Sequence, residues 1–112
     1  MQIVDADAND IATLTGHEDC WLGVVDGDLT AFGGFRKWNG KLWAFLDVYG
    51  NAPAVALVRE MKRRIEAQNQ PVYVACDEQE HPQAPKLLAL LGFTQTENEM
   101  LGGMRIWEWP IQ

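Results

Sequence analysis

Strand-forming runs at Trp21–Val25, Asp28–Trp38 and Lys41–Val48 mix apolar and polar positions so that their two faces differ in character. Asp26-Gly27 and Asn39-Gly40 separate them, and each dipeptide suits a type I′ turn, whose central residues both take positive φ. Two-residue loops at both points set the register. Val25 then faces Asp28, Trp38 faces Lys41, Arg36 faces Trp43, Gly34 faces Phe45 and Phe32 faces Asp47. One face of this meander carries Phe32, Arg36, Trp38, Trp43, Phe45 and Asp47. The other carries Leu29, Ala31, Phe35, Leu42, Ala44, Leu46 and Val48, a cleaner apolar set expected to pack on a long helix.

The period then changes from two to 3.6. Ala54, Leu57, Val58, Met61 and Ile65 recur at helical spacing and predict a helix over Asn51–Gln68, with Asn51 as cap and Pro53 in the first turn. Arg59, Glu60, Lys62, Arg63, Arg64 and Glu66 read as its solvated side, with Lys62, Arg63 and Arg64 placed to suit the dipole at its end. Asn69-Gln70-Pro71 breaks the helix, and Val72–Cys76 reads as a short buried strand. A strand, one long helix and a second strand form a right-handed crossover, so Lys41–Val48 and Val72–Cys76 should run parallel.

An acidic loop, Asp77–Glu80, leads into His81–Phe93 (HPQAPKLLALLGF), read as a short helix started by proline and stopped by Gly92 as a left-handed cap. Thr94–Leu101 and Met104–Trp109 form a terminal hairpin about Gly102-Gly103. At the other end, Gln2–Ala6 reads as a short strand, and Asp7 or Asn9 could cap a brief helix through Leu14. No repeat or linker divides the chain, so residues 1–112 make one domain.

The segment from His81 to Phe93 has Ala84 nine positions before Phe93, with Leu87, Leu91 and Gly92 between them. This spacing resembles the late helix of the GNAT (Gcn5-related N-acetyltransferase) superfamily, whose pattern is N-x-x-A-x-x-L-Y-x-x-x-G-F. His81 stands at the asparagine position of that pattern and Leu88 at the tyrosine. The element order also resembles the family's, with one helix missing before Trp21. The resemblance implies an α/β (α+β) GNAT-like acyl-CoA N-acyltransferase fold. Its central sheet would be mixed and mostly antiparallel, with about six or seven strands and helices on both faces. Size, the Asn39-Gly40-Lys41 turn with its aromatic strand, and the late helix are also similar to compact GNAT-like proteins of tailed phages and prophages. Some of those are virion components.

Composition narrows the partners. A net charge of −7 and a pI near 4.6 argue against a nucleic-acid groove. No apolar run approaches the roughly 20 residues of a membrane span. Two cysteines, Cys20 and Cys76, are too few for a disulfide framework, which points to a reducing cytoplasm, here that of a bacterium or a phage-infected host. Five tryptophans are many for this length, and an exposed cluster around Trp38, Trp43 and Phe45 would suit a protein partner or a homodimer.

In the family an acyl-CoA lies in a splay between the fourth and fifth strands, here Lys41–Val48 and Val72–Cys76. Its pyrophosphate is held by backbone amides at the start of the long helix, usually inside a Q/R-x-x-G-x-G/A loop. This chain reads Tyr49-Gly50-Asn51-Ala52-Pro53-Ala54 there, with one glycine, no Arg or Gln, and a proline that lacks an amide donor. The resemblance therefore assigns acetyl-CoA contacts to Val48, Tyr49, Gly50, Asn51 and Ala52, with Cys76 and His81 nearby, and an amine as the acyl acceptor. Asp47 is the acid at the end of the fourth strand, either a general base or a strand-end polar residue. His17-Glu18-Asp19-Cys20 crowds metal-ligand types together without the spaced pairs of a zinc site, so no metal is assigned. Cys76 and His81 are either a thiol–imidazole pair across the acidic loop or two separate residues, one buried and one at a helix start.

Overall fold

The computed structural model of the chain describes residues 1–6, 17–50 and 53–110, with side chains left out of the description at 97–101. It contains strands β1 (Gln2–Asp5), β2 (His17–Val25), β3 (Asp28–Trp38) and β4 (Lys41–Val48), then helix α1 (Ala54–Gln68) and strand β5 (Val72–Cys76). Helix α2 (Ala84–Leu91) and strands β6 (Thr94–Leu101) and β7 (Met104–Trp109) complete it. The seven strands form one sheet in the order β1-β2-β3-β4-β5-β7-β6, antiparallel throughout except at β4–β5. This is the mixed, mostly antiparallel sheet that the resemblance implies. The brief helix expected after Ala6 lies outside the described residues.

Both glycine turns take the expected form. Asp26 and Gly27 have φ of 51° and 84°, and Asn39 and Gly40 have 53° and 75°. The β3–β4 register follows from them, with Arg36 opposite Trp43, Gly34 opposite Phe45 and Phe32 opposite Asp47. β2 begins at His17 rather than Trp21, because an irregularity between Glu18 and Trp21 admits a polar entry. Asp19 sits there with φ of 50°.

The core lies between the sheet and the two helices. Ala31, Phe35, Leu42, Ala44 and Val72 of the sheet meet Leu57, Met61 and Ile65 of α1 and Leu88 and Leu91 of α2. Leu29 and Val48 share the apolar parity of β3 and β4, yet both are about half exposed, at 49% and 50%. The expected packing stops short of them. Trp21 is fully buried and lies over Gly33, where an added Cβ would stand 2.7 Å from the indole ring. A residue without a side chain is what lets that ring lie flat on the sheet.

Arg64 corrects the reading of α1. It is buried and not part of a solvated face. Its guanidinium donates to Asp5 Oδ1 at 2.7 Å, Asp19 Oδ1 at 2.9 Å and Glu60 Oε1 at 2.7 Å. Arg63 also donates to Glu60, and Gln68 to Asp19. One planar fork thus ties β1 and the entry of β2 to α1. The hydrogen bond from Arg64 holds the Asp5 carboxyl below the usual carboxylate range. Burial pushes Glu60 up, but the bonds from Arg63 and Arg64 outweigh it and the net direction is down. The last turn of α1 carries no basic residue, so Lys62, Arg63 and Arg64 do not act on its C-terminal dipole. Asn69 closes the helix in the left-handed conformation, its N–H bonded to Glu66 O.

The second helix starts later than His81. Asp77 Oδ1 accepts from the amides of Gln79 and Glu80, and the His81 amide donates to Asp77 O. These turns occupy the chain until Ala84, where Pro85 enters the first helical turn. Gly92 caps the helix with φ of 97°, as expected.

Candidate functional site: the splay between β4 and β5

The parallel strands β4 and β5 share two register pairs, Leu42 with Val72 and Trp43 with Tyr73. Beyond them, Ala44–Val48 continues to pair with β3, and Val74–Cys76 with β7, but not with each other. The strands therefore part toward their C-terminal ends. Each then presents a run of backbone with one side unpaired by the sheet. Such edges are anchoring groups for any extended, amide-bearing ligand.

Helix α1 begins at this same end of the sheet. Its first intrahelical bond is Leu57 N–H to Pro53 O, at 3.1 Å. Among the described residues, the amides of Ala54, Val55 and Ala56 thus have no acceptor, and Pro53 makes no side-chain cap bond to them. Pro53, at the cap position, adds no donor. Between Lys41 and Arg59 the sequence has no Lys or Arg. An anion at the helix start would rest on backbone dipoles alone.

Of the residues assigned from sequence, Val48, Tyr49 and Gly50 lie at the open end of the splay. Val48 and Tyr49 are exposed, Gly50 has φ of 61°, and the Tyr49 amide donates to Thr30 O at 2.7 Å. Asn51 and Ala52 lie outside the described residues. Asp47 is exposed on β4, opposite Phe32, on the sheet face away from α1. Cys76 points into the core and is 7% exposed. Burial raises its thiol pKa, and Glu78 and Asp77 add to the rise. His81 is exposed, and no bond joins it to Cys76 among the described residues. Leu88, at the family's tyrosine position, is a core residue at 6% exposure. His17, Glu18, Asp19 and Cys20 are strung along one strand. Among the described residues no group of three or more His, Cys, Asp or Glu is placed to hold a metal ion.

Two features escaped the sequence reading. Arg64 sits at helical spacing from Leu57 and Met61, on the inner stripe, which was the available signal for its burial. The sheet face away from α1 also carries two clusters of rings. Phe32 and Phe45 have centroids 5.1 Å apart, and His17 meets Phe45 edge-on at 5.2 Å. Trp43 lies 6.0 Å from Trp38 and 5.7 Å from Tyr73, with Lys41 Nζ 4.7 Å over the Tyr73 ring. The paired strands had indicated the face but not these contacts.

The architecture is a GNAT-like fold. The chain superimposes on the ribosomal-protein-S18-alanine N-acetyltransferase from Escherichia coli with a TM-score of 0.69, covering 99% of this chain and 94% of that one, at 13% identity. No family model matches the sequence, and no curated protein matches it. The likeness is therefore one of fold, and it spans the whole domain. An acyl-CoA at this place would meet the splay edges and the amides of Ala54–Ala56, with no cationic side chain on the β4–α1 connection.

Proposed function

We propose that the chain is an acyl-CoA-dependent N-acyltransferase that acts on an amine in the β4–β5 splay. The observation that carries this reading is the end of pairing after Trp43 and Tyr73, beside a helix start whose first three amides find no acceptor among the described residues. The unpaired edges of Ala44–Val48 and Val74–Cys76 suit the amides of a pantetheine arm. Ala54, Val55 and Ala56 would hold the pyrophosphate. Val48, Tyr49 and Gly50 would line the entry. When bound there, the thioester supplies an activated acyl carbonyl and a good leaving group.

The protein's own contribution is to orient the two reactants and take one proton. Asp47 accepts it from the incoming ammonium, directly or through one water, and leaves a neutral amine to attack. Amine and thioester become amide and thiol, with the proton on Asp47 returned to solvent. Leu88 donates no proton, so the second proton, which the nitrogen sheds as the amide forms, passes through water to the leaving sulfur. An amine acceptor agrees with the N-acetyltransferase activity in the name of the structural neighbour.

The test is thiol release from acetyl-CoA in the presence of amines. Asp47→Asn should lower the amine-dependent rate by about 100-fold or more while acetyl-CoA affinity holds. Amine-independent release, or unchanged activity in that variant, would remove Asp47 from this role.

A second reading is a non-catalytic GNAT-fold protein of phage or prophage origin, working through protein contacts in the host cytoplasm or in the virion. Trp38, at 46% exposure on the aromatic face, favours it. It gains the field if acetyl-CoA does not bind.

A further inference from the structure

We infer that the acceptor of this proposed transfer is a monocationic amine with an aromatic or similarly flat apolar body, an arylalkylamine by class. This inference rests on the N-acyltransferase reading and names its second substrate. Asp47 and Phe45 alternate along β4 and share the face away from α1, roughly 7 Å apart along the strand. Phe32 is directly across from Asp47, and its ring lies against Phe45 with centroids 5.1 Å apart. Both phenylalanines are half-buried and stand outside the main core cluster. The face thus offers an aromatic floor with one exposed carboxylate at its splay end.

The charges farther along the same face set the rest. Arg36 stands opposite Trp43, the Lys41 ammonium lies over Tyr73, and Glu108 is the partner of Tyr73 on β7, so the far end of the floor carries two cations against one carboxylate. A polyamine would place its second ammonium toward those groups and be repelled. An arylalkylamine directs its one ammonium to Asp47 and lays its ring on Phe32 and Phe45. A ring two carbons from the nitrogen matches the spacing from Asp47 to Phe45.

The experiment compares phenethylamine, ethylamine and spermidine as acceptors with acetyl-CoA, in the full chain and in Phe45→Ala, with folding checked by circular dichroism and melting. Phenethylamine is expected to show a KM roughly tenfold below that of either other amine. Phe45→Ala should abolish that advantage without changing acetyl-CoA affinity. Spermidine or ethylamine equal to phenethylamine, or a preference that survives the substitution, overturns the inference and leaves the acyltransferase reading standing. If acetyl-CoA does not bind, that reading fails by itself. The arylalkylamine's role as acceptor then falls with it, and titration of phenethylamine alone, followed by NMR, decides the amine site itself: shifts centred on Phe32, Phe45 and Asp47 sustain that site, and their absence overturns it.

Discussion

Trp43 and Tyr73 form the last register pair between β4 and β5, and their rings lie 5.7 Å apart on the face away from α1. The ring contact closes the sheet at the point where its hydrogen-bonded ladder ends. The splay is therefore built into the fold. β5 answers to β7 along its whole length, and β4 answers to β3.

Arg64 is the polar centre of the N-terminal half. Arg64→Leu should destabilise the fold by about 3 kcal/mol, the lower end for breaking a buried ion pair, because Asp5 and Asp19 keep contact with water. Arg64→Lys should recover part of this and not all, since an ammonium offers no planar fork. Denaturant unfolding of the two variants beside the parent checks both.

The same cluster gives an acid dependence. Asp5 and Glu60 are held below their ordinary values in the folded chain. Their contribution is complete above the unfolded carboxylate pKa of about 4 and is lost as the pH falls through the lower folded values. Melting temperature should hold from neutrality to about pH 5 and drop below about pH 4. In Arg64→Leu the drop should be shallower. A parallel drop in both proteins would place the acid sensitivity elsewhere.

Gly33→Ala should be among the most harmful small substitutions. Its Cβ would meet the Trp21 ring at 2.7 Å, and that ring is fully buried under α1. Overpacking of this kind costs about 1 to 3 kcal/mol. A Trp21→Leu background should relieve much of the added cost, which a double-mutant cycle in unfolding free energy measures.

The main course of the chain was legible because local chemistry and tertiary packing agree. Asn39-Gly40 fixes the β3–β4 register by itself, and Gly92 fixes the end of α2. What sequence did not show was non-local. The burial of Arg64 depends on Asp5 and Asp19, which lie far from it along the chain. The start of α2 depends on Asp77 drawing two following amides to itself. The splay was expected from the resemblance alone, since periodicity in β4 and β5 gives no sign of where pairing stops. Asp47 was found from its place at the strand end, but its aromatic neighbours needed the register and the ring contacts.

Both thiols should resist alkylation. Cys20 and Cys76 are buried, and burial raises the pKa of each. Intact-mass analysis after iodoacetamide at neutral pH should show an unmodified chain, with two additions once denaturant is present. Rapid labelling of Cys76 in the folded protein would contradict its place in the core.

The most direct test of the central claim is amide hydrogen exchange across Ala44–Val48 with and without acetyl-CoA. In the free protein, amides of this stretch that face β5 should exchange much faster than those bonded to β3. Saturating acetyl-CoA should slow them, together with Ala54–Ala56 at the helix start. Unchanged exchange at millimolar acetyl-CoA, with no rise in melting temperature, would contradict an acyl-CoA site in the splay.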